Sequence, residues 1–518
     1  MSLIKITAAV SLSLWITAFA VIDTHKEEIA APVRNFSFSD SLSGKQLAAQ
    51  YCASCHLFPD PALLDKNTWV TSVLPNMGLR LGIREPGTNP YDDLKPEEVK
   101  AMQELNIYPE TALLSNIEWQ KIVSYYQTEA PAEPLPQKAT PPIFDQLLLF
   151  KSQEIALGDK PFPQTTLLKF DKATAQLYVG DAQNALYVLN NQFQLKDTWW
   201  VESAPTDIDF PKNAAPRVLT IGVFKPSEQK SGRLMSLEKT ASPSAINIKS
   251  LPRPVQFTSA DINLDGKEDA ILSGFGNHSG KLSWYDGFQS DQEHILKGLP
   301  GARKAEISDF NHDKKPDIVA LMAQAREEIS IFYNLGNGKF KEKVLLRFPP
   351  AYGMSYFELV DFNKDGFQDI LLTNGDNWDL SPVLKNYHGV RIYLNDGKDN
   401  FKETFFYPLY GASKAIARDF DQDGDLDIAA TSFYSDLENP AHGFVYLSNE
   451  GKLNFKALFT PEAANGKWLT MEAADFDQDG DIDIVLGSYF HTIGEMTKLI
   501  ARGVLSFPQL LVLTNQGK

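Results

Sequence analysis

The two cysteines of the chain lie three residues apart and are followed directly by a histidine, in Cys52-Ala53-Ser54-Cys55-His56. Cys-x-x-Cys-His is the attachment pattern of c-type haem, in which the thiols form thioethers and the imidazole binds the iron. A structural zinc site draws several Cys or His ligands, and the sequence holds no third cysteine. A thioredoxin-like redox pair would not need His56. The motif therefore predicts one covalent haem c, with His56 as the proximal iron ligand.

The sixth iron ligand is narrowed by elimination, because residues 43–128 contain no histidine other than His56. The methionines in this range are Met77 and Met102, and thioether sulfur is a usual sixth ligand of electron-transfer cytochromes. We predict Met77 as the distal ligand, since Met102 lies in an acidic, helix-like stretch where a core position is the simpler interpretation. The alternatives are an iron whose sixth position is open, and ligation by His25 or by a histidine from the second half of the chain.

A nine-residue acidic pattern occurs five times in the second half of the chain. Positions 1, 3, 5 and 9 carry Asp or Asn, position 6 is usually Gly, and position 7 would contribute a backbone carbonyl. Calcium is a hard cation that takes about six to eight oxygen ligands, and Gly permits the tight turn. We therefore predict up to five Ca²⁺ sites. The predicted ligands are Asp261, Asn263, Asp265 and Asp269; Asp309, Asn311, Asp313 and Asp317; Asp361, Asn363, Asp365 and Asp369; Asp419, Asp421, Asp423 and Asp427; and Asp475, Asp477, Asp479 and Asp483.

The acidic loops are not EF-hands, because position 12 is Leu or Ala in every copy and a strand-like run follows. The alternative to calcium is a set of Asx turns without an ion. The ligand positions hold three carboxylates in each of the first three loops and four in each of the last two. Clustering them without cations would be costly. The second copy has Lys314 instead of Gly and Pro316 beside Asp317, so its occupancy stays open.

The acidic loops recur at intervals of 48, 52, 58 and 56 residues, each followed by short apolar runs that alternate with turns. Four short strands per roughly 50 residues indicate a blade of a β-propeller. Two further units without a full loop, 166–190 and 207–222, precede the first copy. We predict seven blades over residues 143–518, with the strand-like segment 145–150 pairing with 510–514 to close the ring.

Helical signals surround the cysteine motif. Gly44–Tyr51 is a predicted helix that leads into it, and Ser115 with Glu118 forms a capping box that opens a second helix. Five prolines in residues 129–142 predict a semi-rigid linker.

The N-terminal 20 residues have the features of a signal peptide: Lys5, an apolar run, and an Ala-x-Ala site at residues 18–20. An uncleaved anchor reaching to about residue 22 is the alternative, and residues 21–42 would be a tail. We expect an exported protein, periplasmic or at the cell surface, that contacts a membrane only through such an anchor. Export agrees with thioether attachment, which normally takes place outside the cytoplasm.

Two resemblances follow from these motifs. Residues 43–128 resemble a small class I cytochrome c domain, on the haem motif, the flanking helices and the Met77 segment, which is similar to the methionine loop of that family. Residues 143–518 resemble the FG-GAP/VCBS repeats of integrin-like propellers and of exported bacterial proteins, on the five loops. The fold class implied is a small all-α cytochrome c domain followed by an all-β seven-bladed propeller.

The composition and these resemblances narrow the classes of function that the protein could have. A hydrophobic content of 43% indicates a globular protein, and a net charge of −17 argues against nucleic-acid binding. We expect electron transfer to a redox partner protein, with the propeller docking a partner or ligand. The alternatives are a carbohydrate-active enzyme, oxidative or lyase-type, with the haem as electron acceptor, and an adhesion or redox-sensing protein.

The sequence favours a carrier or binding protein over an enzyme, and no catalytic residue is assigned. Three insertions after second strands, at 377–388, 433–442 and 489–508, are candidate ligand-binding loops. Their aromatic and histidine residues are Trp378, Tyr387, His388, Tyr434, His442, Tyr489 and His491.

Overall fold

The structure is a computed structural model that describes residues 42–138, 142–145, 147–157, 162–238, 246–436 and 438–517. Residues 43–518 form one compact unit. The predicted signal peptide and His25 lie outside the described residues. Within the described ranges, none of the helices combines the length and the apolar character needed to cross a bilayer.

Seven blades of four antiparallel strands each form the ring, one of them extended by a short fifth strand, and the first strands of neighbouring blades contact one another. The predicted seven-bladed propeller is confirmed. The strands are Thr165–Asp171, Gln176–Asp181, Ala185–Leu189 and Leu195–Trp200 in blade 1; Pro205–Asp209, Arg217–Thr220, Gly232–Ser236 and Asn247–Leu251 in blade 2; Pro254–Ala260, Asp269–Gly274, Lys281–Tyr285 and Glu293–Lys297 in blade 3; Ala302–Ser308, Asp317–Met322, Glu328–Gly336 and Lys339–Arg347 in blade 4; Met354–Val360, Asp369–Asn374, Gly389–Asn395 and Phe401–Pro408 in blade 5; Ala412–Arg418, Asp427–Ser432, Phe444–Asn449 and Phe455–Leu458 in blade 6; and Trp468–Ala474, Asp483–Ser488, Leu510–Asn515 and Phe150–Ile155 in blade 7.

The second strands of blades 3 to 7 are buried along their whole length, which explains their nearly continuous apolar sequence. Apolar side chains of adjacent blades pack against each other and form the core. Trp468, Phe444 and Tyr446, for example, share one cluster between blades 6 and 7. Burial of this interface orients the loops at the strand ends.

Ring closure takes place as expected, but through a different segment. Phe150–Ile155 pairs antiparallel with Leu510–Asn515, from Phe150 opposite Asn515 to Ile155 opposite Leu510. The prediction of 145–150 was therefore wrong in its bounds. Ile143–Phe144 instead adds a short parallel strand to Phe455–Leu458 of blade 6. A turn at residues 147–150 separates the two pairings and allows the Phe150 side chain to become buried.

Residues 44–129, which we call the helical region, contain Gly44–Tyr51, Lys66–Thr68, Leu74–Arg80, Pro96–Glu104 and Asn116–Glu129. A π-helical turn, Trp69–Val73, joins the second of these helices to the third, and short 3₁₀ turns occupy Cys52–Ser54 and Pro61–Leu63. The predicted capping box is present, since Ser115 and Glu118 each accept a hydrogen bond from the other's backbone N–H.

The first and last helices of the helical region pack closely. A Cβ atom at Gly44 would lie 2.1 Å from the carbonyl oxygen of Lys121, so only glycine permits this approach. The rings of Trp69 and Tyr126 meet with centroids 4.5 Å apart beside the buried Ile122. These contacts position the loop that carries the cysteines.

Candidate functional site

The strand order places two kinds of loop at opposite ends of the blades. Connections between first and second strands form one end, which we call the acidic-loop face because it carries all five acidic loops. Connections between second and third strands form the other end, which we call the helix-bearing face. The three predicted insertions lie there, between Asn374 and Gly389, Ser432 and Phe444, and Ser488 and Leu510.

Each acidic loop is built from overlapping Asx turns. In the first, Asp261 accepts the N–H of Gly266 at 2.9 Å, Asn263 accepts that of Asp265 at 2.9 Å, and Asp265 accepts that of Lys267 at 2.9 Å. The other four loops repeat these three bonds between 2.9 and 3.2 Å. These bonds give all five loops the same backbone turn.

The second loop keeps this conformation without glycine. Lys314 at its position 6 has φ of 69°, in the left-handed region that Gly266, Gly366, Gly424 and Gly480 occupy in the other copies. Left-handed backbone is unfavourable for Lys. The surrounding loop therefore holds Lys314 there, and the substitution does not by itself remove the loop geometry.

The position-1 carboxylates divide the loops into two groups. Oδ1 of Asp261 and of Asp361 accepts a further backbone N–H, at 3.0 and 3.1 Å. Oδ1 of Asp309, Asp419 and Asp475 is buried and has no hydrogen-bond partner among the described residues. A buried carboxylate oxygen without a partner is costly, and a cation would satisfy it. These three loops therefore fit a bound cation best.

The last two loops also bring several carboxylates together. Oxygen atoms of Asp419, Asp421 and Asp423 lie within 4.8 Å of one another, and those of Asp475, Asp477 and Asp483 do likewise. Such spacing suits a hard divalent cation. Among the described residues these are the carboxylate groups close enough to share an ion in this way.

The position-9 aspartates connect each loop to the third strand of its blade. Asp317 is fully buried and accepts backbone N–H bonds from Phe310 at 3.1 Å and from Asn334 at 2.7 Å. Asp269, Asp369, Asp427 and Asp483 are buried in the same position. Burial raises their pKa, to about 6 for Asp427 and Asp483. Much of their hydrogen-bonding capacity is used by the fold, and their role as calcium ligands stays a prediction.

The predicted haem-attachment residues lie at the end of the first helix of the helical region. Cys52 is half-buried, Cys55 is exposed, and neither forms a disulfide. Nδ1 of His56 is 2.8 Å from the carbonyl oxygen of Leu57. Because a carbonyl only accepts, Nδ1 carries the proton and Nε2 keeps a lone pair for a metal. Burial raises the pKa of the Cys52 thiol to about 11, as expected for a thiol that is not an activated thiolate.

The two methionines occupy different environments. Met77 is partly buried within Leu74–Arg80, so a helix carries it instead of the loop expected from the family resemblance. Gly78 beside it packs on Trp119, with 3.1 Å between the position of a Gly78 Cβ and the indole ring. Met102 is 2% exposed, in agreement with a core position. Met77 as the distal ligand stays a prediction.

The helical region lies on the helix-bearing face. The Ser72 hydroxyl donates to the carbonyl oxygen of Leu380 at 2.6 Å, and the Tyr387 hydroxyl donates to that of Leu63 at 3.1 Å. At another point of the interface, Glu98 accepts bonds from the Ser227 hydroxyl and the Glu228 N–H. Loops of blades 2 and 5 thus contact the helical region directly.

The insertion residues form two groups. Trp378 of blade 5 stacks on His491 of blade 7 at 4.3 Å, and Tyr489 meets the same imidazole at 5.0 Å. Tyr387 donates to Leu63 of the helical region, whereas the His388 carbonyl accepts a bond from Gln137 of the linker. The buried His388 Nε2 has no hydrogen-bond partner among the described residues. Tyr434 contacts Phe433, whereas His442 packs on Phe459.

Sequence reasoning missed a buried set of ionisable groups near these insertions. Burial raises the pKa of Glu327 to about 8 and that of Asp379 to about 6, and the charge of Asp376 adds to both shifts. Burial lowers the pKa of Lys385 to about 8, although the negative charges of Asp376, Asp379 and Glu327 act to raise it. Glu327 lies next to the ion-paired Glu328, and nothing in the sequence distinguishes the two.

One family model matches two segments of the propeller. Residues 309–372 and 419–486 match the model of the FG-GAP-like repeat, so the chain contains these repeats. No curated protein matches the sequence. Similar solved structures include the N-terminal domain of Nup159, at 12% identity and a TM-score of 0.41 over 73% of this chain and 98% of that one. The Neurospora crassa Pan2 WD40 domain matches at 10% identity and a TM-score of 0.42, over 73% of this chain and 98% of that one. BBS1N, solved in complex with ARL6DN, matches at 9% identity and a TM-score of 0.42, over 71% of this chain and 97% of that one.

Proposed function

We propose that the protein carries one covalent haem c on Cys52, Cys55 and His56 and passes electrons to a partner protein. The observation that carries this proposal is the local geometry of the motif: two free thiols beside an imidazole whose Nδ1 is held by Leu57 and whose Nε2 is left for iron. Haem bound there would supply one-electron chemistry at the iron.

The surrounding residues would hold the haem and keep water from it. His56 donates through Nδ1 to the Leu57 carbonyl, which orients the ring and increases the basicity of Nε2. Trp69, Ile122 and Tyr126 are buried in the core of the helical region, where the rings of Trp69 and Tyr126 meet. Met77 is the proposed distal ligand. The haem attachment also implies export, since thioethers are normally made outside the cytoplasm.

We also propose that the acidic loops bind calcium, with a structural role. The buried, unpartnered Oδ1 atoms of Asp309, Asp419 and Asp475 support occupancy of these three loops first. The FG-GAP-like repeats and the propeller agree with a binding or docking role for this part of the chain. A basic redox partner would suit the net charge of −17.

The test of the haem proposal is production of the full chain, with calcium, in cells that mature c-type cytochromes. Denatured, acid-extracted protein should retain one haem per chain by mass and by its pyridine haemochrome spectrum. Cys52→Ala with Cys55→Ala should lose the covalent haem. Haem that the acid extraction removes completely from the parent chain would contradict the proposal.

The distal ligand is tested separately by comparing two methionine variants. Met77→Ala should lose the ferric methionine–iron charge-transfer band, because the thioether is removed. Met102→Ala is the matched control and should keep the band, since Met102 belongs to the core. A band that survives Met77→Ala would assign the distal position to another residue.

A second candidate function is favoured by the buried ionisable groups under the helical region. Glu327 and Lys385 both have pKa values of about 8, which suits proton transfer near neutral pH. An enzyme that oxidises a polar, sugar-like substrate could use such groups with haem as the electron acceptor. Substrate-dependent haem reduction across a panel of sugars would support it, and no reduction by any of them would count against it.

A further inference from the structure

The insertion of blade 7 exposes a cluster of large apolar side chains on the helix-bearing face. Leu505 is 88% exposed, Ile493 is 73% exposed and Ile500 is 51% exposed. Ile493 and Ile500 begin and end the helix Ile493–Ile500, and their i, i+7 spacing places them on the same side of it. Single exposed apolar residues are ordinary, whereas several on one segment mark an interaction surface.

A different side of this helix is already packed against the propeller. Leu499 and Val504 are buried in one cluster with Phe490, and Met496 packs against that cluster. These contacts hold the insertion in place without Ile493, Ile500 or Leu505. The exposed apolar side chains are therefore available to a partner, because the fold does not use them.

The exposed charges of the insertion are positive. Within residues 492–505, the exposed charged side chains are Lys498 and Arg502, whereas Glu495 is partly buried. Arg502 also pairs with Glu438 of the blade 6 insertion at 2.5 Å. Exposed aliphatic side chains beside Lys and Arg, in a chain of net charge −17, suit a surface that is apolar below and carries anionic phosphates above. A phospholipid surface has this arrangement.

The neighbouring blade 1 adds an exposed tryptophan to the same face. Trp200 ends the fourth strand opposite Ala185, which begins the third strand directly after the second-to-third connection. Trp200 therefore lies at the helix-bearing end of its blade, and it is 72% exposed. Tryptophan is enriched where proteins meet the membrane–water interface. The hydrogen bonds described above join the helical region to blades 2, 3 and 5, away from the surface on blades 7 and 1.

We propose that the helix Ile493–Ile500, together with Leu505 and Trp200, forms a membrane-contact surface that rests on phospholipid headgroups. The aliphatic side chains would enter the boundary between headgroups and acyl chains, and Lys498 would stay at the level of the phosphates. Residues 1–42 precede the helical region, which lies on this same face. An N-terminal anchor and this surface would therefore turn the same face of the propeller toward the membrane.

The test is amide hydrogen exchange, followed by mass spectrometry, of the calcium-loaded full chain with and without vesicles of phosphatidylethanolamine and phosphatidylglycerol. Peptides that cover residues 493–505 should exchange more slowly with vesicles present. Peptides that cover residues 147–150 should not change, since Leu148 is 84% exposed but lies at the acidic-loop face, beside the pairing of Phe150 with Asn515. This local measurement decides the question even where an uncleaved anchor holds the whole chain on the vesicle.

Two variants complete the test. Ile493→Ser with Leu505→Ser should weaken the vesicle-dependent protection of residues 493–505 about tenfold or more, because two large side chains no longer leave water. Leu148→Ser is the matched control, an equally exposed leucine on the opposite face, and should keep the protection. If the double variant loses the native far-ultraviolet circular dichroism, Leu505→Ser alone replaces it.

Three results would overturn the proposal. The first is exchange at residues 493–505 that vesicles leave unchanged in the parent chain, which would assign this surface to a protein partner instead of a membrane. The second is protection that survives in the serine variants. The third is equal protection of residues 147–150, which would show non-specific adsorption. The measurement does not depend on haem, so it is independent of the proposed electron transfer.

Discussion

The two faces of the propeller are organised in different ways. On the acidic-loop face, each loop makes its turns from side chain to backbone within nine residues, and the same bonds recur in all five copies. On the helix-bearing face, the contacts join residues hundreds of positions apart, such as Ser72 with Leu380 and Tyr387 with Leu63.

This difference shows how a repeat fold divides stability and function. Short-range loops are specified by their own sequence, so they can be copied from blade to blade. The second-to-third connections are free to diverge, since the strands that hold them are already fixed by burial. The helical region that carries the candidate haem motif, and the buried Glu327, are both found at this second face.

The largest effect should come from opening the ring. Deleting residues 150–155 removes the strand that pairs with Leu510–Asn515 and exposes a long apolar edge. We expect loss of cooperative unfolding and aggregation, measured by circular dichroism melting and light scattering.

The control for ring opening is the short extra strand of blade 6. Phe144→Ser leaves residues 150–155 in place and should melt close to the parent, because Phe144 is already 46% exposed. Equal behaviour of the deletion and the parent would show that Phe150–Ile155 does not close the ring.

Removal of calcium should have the next largest effect. A site saturated at 100 times its Kd contributes about 2.7 kcal/mol to the free energy of unfolding, so chelation of several sites should lower Tm strongly. Scanning calorimetry with and without a chelator measures this shift. Magnesium is the control ion and should restore little of the lost Tm, because it prefers a smaller, octahedral site. An unchanged Tm after chelation would mean that the acidic loops act as Asx turns alone.

Single-loop variants sharpen the division of the acidic loops into two groups. Asp419→Asn should remove one calcium from the stoichiometry or weaken its site at least tenfold, about 1.4 kcal/mol, because the unpartnered Oδ1 loses its charge. Asp361→Asn is the matched control and should have a smaller effect, since both of its oxygens already accept backbone N–H bonds. Isothermal titration calorimetry measures the calcium stoichiometry and affinity of both variants. Equal losses of calcium binding in the two variants would contradict the division of the loops into two groups.

The smallest effect is expected at the interface with the helical region. Glu98 accepts bonds from Ser227 and Glu228, and although burial opposes it, these bonds lower the Glu98 pKa below its usual value. A lowered folded-state pKa stabilises the interface above the unfolded-state pKa and loses this contribution as pH falls through the folded-state value. Glu98→Gln should therefore cost about 1 kcal/mol at neutral pH and reduce the pH dependence.

Protection of the linker at residues 131–138 from limited proteolysis measures this interface effect. The matched control is Glu97→Gln, which alters the neighbouring side chain on the same helix. Faster cleavage of both variants to the same extent would show that Glu98 has no particular role at the interface.

The sequence predicted the structure of some regions better than that of others. The five loops, their blades and the capping box at Ser115 follow from local patterns, because an Asx turn or a helix start needs only nearby residues. The ring-closing strand was misplaced, since both 145–150 and 150–155 have strand-like sequences and only the pairing with Leu510–Asn515 in the folded ring chooses between them. Met77 was expected in a loop, and the structure places it on the helix Leu74–Arg80.

The sequence alone determined the seven-bladed propeller, the acidic loops and the Cys-x-x-Cys-His motif, because each depends on residue types at short, regular spacing. Only the tertiary structure decided which acidic loops leave a carboxylate oxygen unpartnered, and that loops of blades 2 and 5 contact the helical region. These relations arise where blade packing and the helical region bring distant segments together, and no local pattern of residues encodes such long-range proximity.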